Sequence, residues 1–177
     1  AKHPVYLSLT SIPERIQYVP EILSTIDLSL VDRVIINLPR HCNRSSAPYT
    51  VPKQLLSMEK VEIHWLESDF GPITKLVPTL ALSQQQKSNP IIIVIDDDVI
   101  YPIGMISAHI QALAHHPDRV STTMPARLLR TNAKPPFSYQ IMGKHSDAIR
   151  NGLQTIVHGT GSYGFIANRI DQDWLEL

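Results

Sequence analysis

Short runs of apolar, mostly β-branched residues alternate along the chain with stretches whose apolar side chains recur at helical spacing. Val5 to Leu9 reads as a first strand. Ser11-Ile12-Pro13-Glu14 then has the form of a capping box with proline in the first turn. Ile16, Val19, Ile22, Leu23 and Ile26 predict a helix to about Ile26, with Pro20 as a kink or break inside it. Val34 to Leu38 reads as a second strand. Residues 40–57 look irregular, with a short helix near Gln54. Val61 to Leu66 alternates as a third strand should. Asp69-Phe70-Gly71-Pro72 turns the chain into a helix reaching about Lys87, broken early at Pro78. Ile91 to Ile95 is an unbroken β-branched run bounded by Pro90 and by acids, the pattern of a central parallel strand buried on both faces. Pro102 opens a helix to about His116. A fifth strand is expected within residues 120–129, a loop or flap over 131–150, and a last short strand from Gly164 to Ala167.

This order implies an α/β fold: an open, mostly parallel central sheet with helices on both faces. In such sheets ligands bind beyond the carboxyl ends of the strands. Three strand ends are polar, at residues 8–11, 67–69 and 96–98, and they are expected to converge on one rim.

Composition narrows the classes. At 177 residues the expectation is a single domain over 1–177, and 43% hydrophobic against 18% charged residues suffices for a sizeable core and excludes a disordered chain. Sixteen Lys and Arg offset sixteen Asp and Glu, which argues against broad electrostatic capture of nucleic acid or anionic membrane. Cys42 is the only cysteine, so an internal disulfide framework and a cysteine zinc site are excluded. No apolar run approaches the ~20 residues that span a bilayer. The first residues, Ala1 to Pro4, do not read as a signal peptide. The expected setting is cytoplasmic, with any membrane association peripheral and at the inner face.

The main chemical signal is Asp96-Asp97-Asp98, directly after the strongest strand. Successive carboxylates repel, and no Lys or Arg lies between Lys87 and Arg119. A hard divalent cation would relieve the conflict, and Mg²⁺ is usually held by one or two carboxylates plus substrate phosphates. Asp96 and Asp98 project to one side of an extended chain, so both can approach one metal–diphosphate assembly. The bland alternative is a helix cap with solvated neighbours.

Ile93-Val94-Ile95-Asp96-Asp97-Asp98-Val99-Ile100-Tyr101-Pro102 resembles the metal-binding Asp-x-Asp segment of GT-A-fold glycosyltransferases, which use nucleotide-diphosphate sugars. Residues 8–16 resemble the first strand and turn of bacterial, family-2-like enzymes that build surface polysaccharides. Asp69-Phe70-Gly71-Pro72-Ile73-Thr74-Lys75-Leu76 resembles their Asp-x-Gly-Pro-x-Thr-Lys segment. The similarity covers residues 5 to about 168.

The resemblance implies a role for each matching position. Thr10 and Ser11 would contact the nucleotide. Arg15 would reach the diphosphate, or be an exposed helix charge. Asn37 is a nucleotide candidate or a turn former. Asp69 would hydrogen-bond the base or ribose, Gly71 would let the backbone approach closely, and Lys75 would supply a point charge for phosphate. Asp96 would sit near the ribose and share Mn²⁺ or Mg²⁺ with Asp98, the direct metal ligand. Asp97 would support that site or contact a sugar hydroxyl. Gly159 and Gly161 would bring backbone amides to the donor sugar. His158 is a metal ligand, an acceptor contact or a structural residue. The glycine run matches neither a dinucleotide fingerprint nor a P-loop. The donor would be a nucleotide-diphosphate sugar and the acceptor a glycan hydroxyl.

Inverting transfer needs a general base, which the resembling enzymes carry downstream of the glycine loop. Asp171, Asp173 and Glu176 match that motif poorly, so the acceptor-side segment is expected to be missing from residues 1–177. Two other readings stay open: a nucleotidyltransferase, although Thr10-Ser11-Ile12-Pro13 lacks the early glycine of that class, and a non-catalytic nucleotide-sugar-binding module.

Overall fold

The structure, a computed structural model, describes residues 3–123 and 161–169. Strands β1 (Val5–Thr10), β2 (Arg33–Pro39), β3 (Val61–Leu66), β4 (Ile91–Val94), β5 (Ser121–Thr123) and β6 (Ser162–Ile166) form one sheet in the order β3-β2-β1-β4-β6-β5. β1 pairs in parallel with β2 and β4, and β2 with β3; β6 runs antiparallel to both β4 and β5. The sheet is therefore mostly parallel, as the β-branched runs predict. The helices are α1 (Val19–Ser24), α2 (Lys53–Leu56), α3 (Val77–Gln85) and α4 (Met105–His115).

Strand alternation sorts the core into two faces. Leu7, Leu9, Val34, Ile36, Leu38, Ile91 and Ile93 point to one side and pack against α1, α2 and α4 through Ile22, Leu23, Leu55, Met105, Ile106 and Leu113. Ile92, Val94, Tyr163 and Phe165 point to the other side, where α3 supplies Leu80. Each such side chain contributes roughly 1.5–3 kcal/mol by leaving water. All four residues of β4 are buried.

Both predicted helical stretches are interrupted next to their prolines, as expected. Pro20 and Pro78 stand in the first turns of α1 and α3, where a missing N–H costs nothing, and each opens the α-helix that follows the interruption. The chain before each is a 3₁₀ turn, Ile16–Tyr18 and Gly71–Lys75. No capping box forms at Ser11. The Ser11 hydroxyl turns to Asp97 and the Glu14 carboxylate accepts from Ser45, so the two side chains are drawn to other partners than each other's backbone. α4 begins at Met105 and not at Pro102, because Gly104 takes a φ of +89° ahead of it.

Behind β6, the His109 ring is fully buried and bonds the Ser121 hydroxyl at 2.6 Å and the Ser162 hydroxyl at 3.0 Å. Burial pushes its pKa down to about 4, so it stays neutral. A Cβ on Gly164 would lie 3.1 Å from His109 Nδ1, so this glycine makes room for the imidazole. Residues 124–160, with the expected flap, most of the expected fifth strand, His158 and Gly159, lie outside the described residues, as do Asp171, Asp173 and Glu176.

Candidate functional site

Strand order reverses between β1 and β4: from β1 the chain builds outward to β2 and β3 on one side, and β4 continues the sheet on the other. A crevice opens beyond the carboxyl ends at such a switch point. Here it is a cleft of about 340 Å³. All three polar segments reach it. Thr10, Ser11 and Arg15 come from the end of β1, Asp69, Gly71 and Lys75 from the turn after β3, and the three aspartates from the end of β4.

The aspartates are neutralised by groups distant in sequence. Lys75 Nζ lies 2.5 Å from Asp96 Oδ1. Arg15 Nη2 lies 2.9 Å from Asp97 Oδ1, and its Nη1 lies 2.6 Å from Asp98 Oδ2. Asp96 Oδ2 also accepts from the Gly161 N–H at 2.8 Å. The repulsion that the local sequence leaves unrelieved is therefore relieved by residues 15 and 75, which lie far away in sequence and which the crossover connections bring home. Unrelieved repulsion no longer calls for a cation. The cleft as a whole stays acidic. Asp69, Asp96, Asp97 and Asp98 face Arg15, Arg44 and Lys75, leaving one negative charge in excess.

The three carboxylates differ. Asp97 is 5% exposed and Asp98 is 55% exposed. Burial raises the Asp97 carboxyl above the usual range, against the opposing pull of the Ser11 hydroxyl at 2.6 Å and of Arg15. Asp97 thus faces inward at the wall of the cleft, held by Ser11 and Arg15. Asp98 faces the cleft. Arg15 Nε is buried and has no hydrogen-bond partner, so this guanidinium is incompletely satisfied.

Three implied ligand contacts are otherwise engaged. Asn37 is fully buried under α3. Its amide donates to Ser8 Oγ and Thr79 Oγ1 at 3.2 and 2.9 Å, and its Oδ1 meets His64 Nδ1 at 2.9 Å. Asn37 is structural, neither a nucleotide contact nor a turn former. The Asp69 carboxylate accepts from the N–H groups of Asn43 and Gly71, each at 2.7 Å, and staples two loops. Thr10 Oγ1 donates to the Asn37 carbonyl at 2.7 Å, so its line to a ligand would be through the backbone. Gly71 holds a φ of +64° with open space where a Cβ would stand, so its conformation, and not crowding, demands glycine.

Sequence reading missed two tyrosines. Tyr101 Oη accepts from the Asp96 N–H at 2.8 Å and donates to the Gly161 carbonyl at 3.3 Å, tying the end of β4 to the start of β6. Burial raises its pKa well above the phenol range, so the hydroxyl keeps its proton. Tyr49 Oη donates to the Ser11 carbonyl at 2.8 Å, and its ring meets Trp65 edge-on. Tyr101 lies within the quoted Asp-x-Asp segment, whereas nothing in the sequence singles out Tyr49. Cys42 and Arg44 also reach the cleft from the loop after β2.

No protein-family model matches the chain, and no curated protein does. Among the described residues, no helix is long and apolar enough to cross a membrane.

Proposed function

We propose that this cleft binds a nucleotide-diphosphate sugar with Mn²⁺ or Mg²⁺, and that the chain is a GT-A-like glycosyltransferase acting on a glycan hydroxyl. The observation that carries the reading is the meeting of the three resembling segments in one cleft at the switch point of the sheet. Cytoplasmic placement belongs to the same reading.

The residues fit a hard cation. Asp98 and Asp96 offer oxygen donors on the cleft. Among the described residues no group of three or more His, Cys, Asp or Glu could hold a metal ion by itself, so a cation here would depend on substrate phosphates for its remaining ligands. A diphosphate entering a cleft with excess negative charge also needs positive compensation. When bound, the cation would neutralise charge on the departing nucleoside diphosphate. Lys75, at present on Asp96, supplies a positive charge that a phosphate would share. Asp97, Tyr101 and the Asp69 staple hold these groups in place.

The ion pairs favour a second reading: a module that binds a nucleotide sugar through Arg15 and Lys75 without turnover. Thermal-shift measurements over nucleotides and sugar nucleotides, with and without Mn²⁺, test both. A ligand selective for the native state raises Tm in proportion to its binding. The transferase reading expects a nucleoside diphosphate to stabilise only with Mn²⁺, and the purified chain to hydrolyse its sugar donor slowly. Stabilisation without turnover selects the module. No shift with any nucleotide rejects both. Pyrophosphate-dependent exchange would instead mark a nucleotidyltransferase.

A further inference from the structure

Arg15 closes the acidic end of the cleft, and its two partners are unequal. Asp97 is deep, fixed from behind by Ser11, and 5% exposed; Asp98 is at the surface and 55% exposed. One half of the guanidinium is thus anchored, and the other half holds a carboxylate that solvent can solvate instead. The backbone beneath is firm. Arg15 N–H donates to the Ile12 carbonyl at 3.0 Å, and the next residue, Ile16, is 1% exposed in the main core. Movement of Arg15 therefore means rotation of its side chain alone. The buried Nε without a partner leaves a further N–H that the present geometry does not satisfy and that a polyoxygen anion would.

We propose that Arg15 is an exchangeable latch on Asp98. With no ligand bound it engages one oxygen, Oδ2, of the outermost carboxylate. When a nucleoside diphosphate enters, the guanidinium keeps Asp97, releases Asp98 and turns to phosphate oxygen, and Asp98 becomes available to a cation. This inference rests on the nucleotide–metal reading above. Its consequence is coupling: nucleotide and cation each raise the other's affinity, by the same factor in both directions.

The test measures Mn²⁺ binding by calorimetry to the parent chain, Arg15→Gln and Arg15→Lys, alone and with UDP or GDP. The parent should bind Mn²⁺ weakly alone and at least about tenfold more tightly with the right nucleotide. Arg15→Gln should bind Mn²⁺ alone about tenfold more tightly than the parent, bind metal-free nucleotide more weakly, and show weaker coupling, keeping only the part that phosphate oxygens on the cation supply. Arg15→Lys keeps the charge, guards against a folding defect, and should fall between the two because an ammonium cannot span both carboxylates. If the parent shows coupling and both variants keep it unchanged, the latch is overturned and the nucleotide–metal reading stands. If no form binds Mn²⁺ with either nucleotide, the latch falls together with that reading.

Discussion

Ser8 and Ser11 stand three residues apart near the end of β1 and serve opposite regions. Ser8 lies below the rim in a neutral seam. Its hydroxyl donates to the Lys75 carbonyl at 2.7 Å and lies 2.6 Å from Thr79 Oγ1, and Asn37 and His64 extend the network. Ser11 lies above, among charges, holding Asp97. The seam is saturated by groups that cannot leave without exposing a buried polar atom. The rim is held by Arg15 and Lys75, whose side chains can take another oxygen. Polarity at a strand end therefore does not by itself mark a site. The parity of the residue along the strand, and what covers that face, decide which region it joins.

The largest effect that separates the regions is expected in the seam. Asn37→Ala removes partners from Ser8, Thr79 and His64 at once and should cost about 4 kcal/mol in urea unfolding. The surviving folded fraction should bind nucleotide as the parent does. A large loss of nucleotide affinity in folded Asn37→Ala would put Asn37 in the site after all.

Next comes acid. His109 is neutral when folded, with a pKa of about 4, against about 6.5 for a free imidazole. Between those values the unfolded chain takes up a proton that the folded chain refuses, so stability falls as pH drops through this window. The loss is roughly 3 kcal/mol by linkage. His109→Gln should flatten that slope; an unchanged slope would mean that another group is responsible.

The smallest effect belongs to the rim. The Asp97 carboxyl is raised by burial, so the folded chain holds a proton that the unfolded chain has already released, and stability falls as pH rises just above the ordinary carboxylate range. Asp97→Asn should remove this slope and cost less stability than Asn37→Ala, read from Tm against pH. A loss as large as that of Asn37→Ala would mean that the rim is as fixed as the seam.

These contrasts also show what the chain discloses by itself. β2 and β4 are legible as apolar, β-branched runs buried on both faces, β1 as a short apolar run and β3 by its alternation, and the rim follows from polar residues placed directly after them. The α-helix starts are less legible, because a proline marks the interruption without showing that a 3₁₀ turn precedes it and an α-helix follows. Asn37 was misread because its cover, Thr79, lies 42 residues away. The pairing of the aspartates was invisible for the same reason: Arg15 and Lys75 reach them across crossover connections.

The most direct measurement is calorimetric titration of UDP and GDP into the parent chain and Asp98→Ala, each with and without Mn²⁺. Mn²⁺ should strengthen binding of one nucleotide to the parent, and Asp98→Ala should lose that gain, by at least about tenfold or 1.4 kcal/mol. Equal Mn²⁺-dependent binding by Asp98→Ala and the parent would contradict the nucleotide–metal reading.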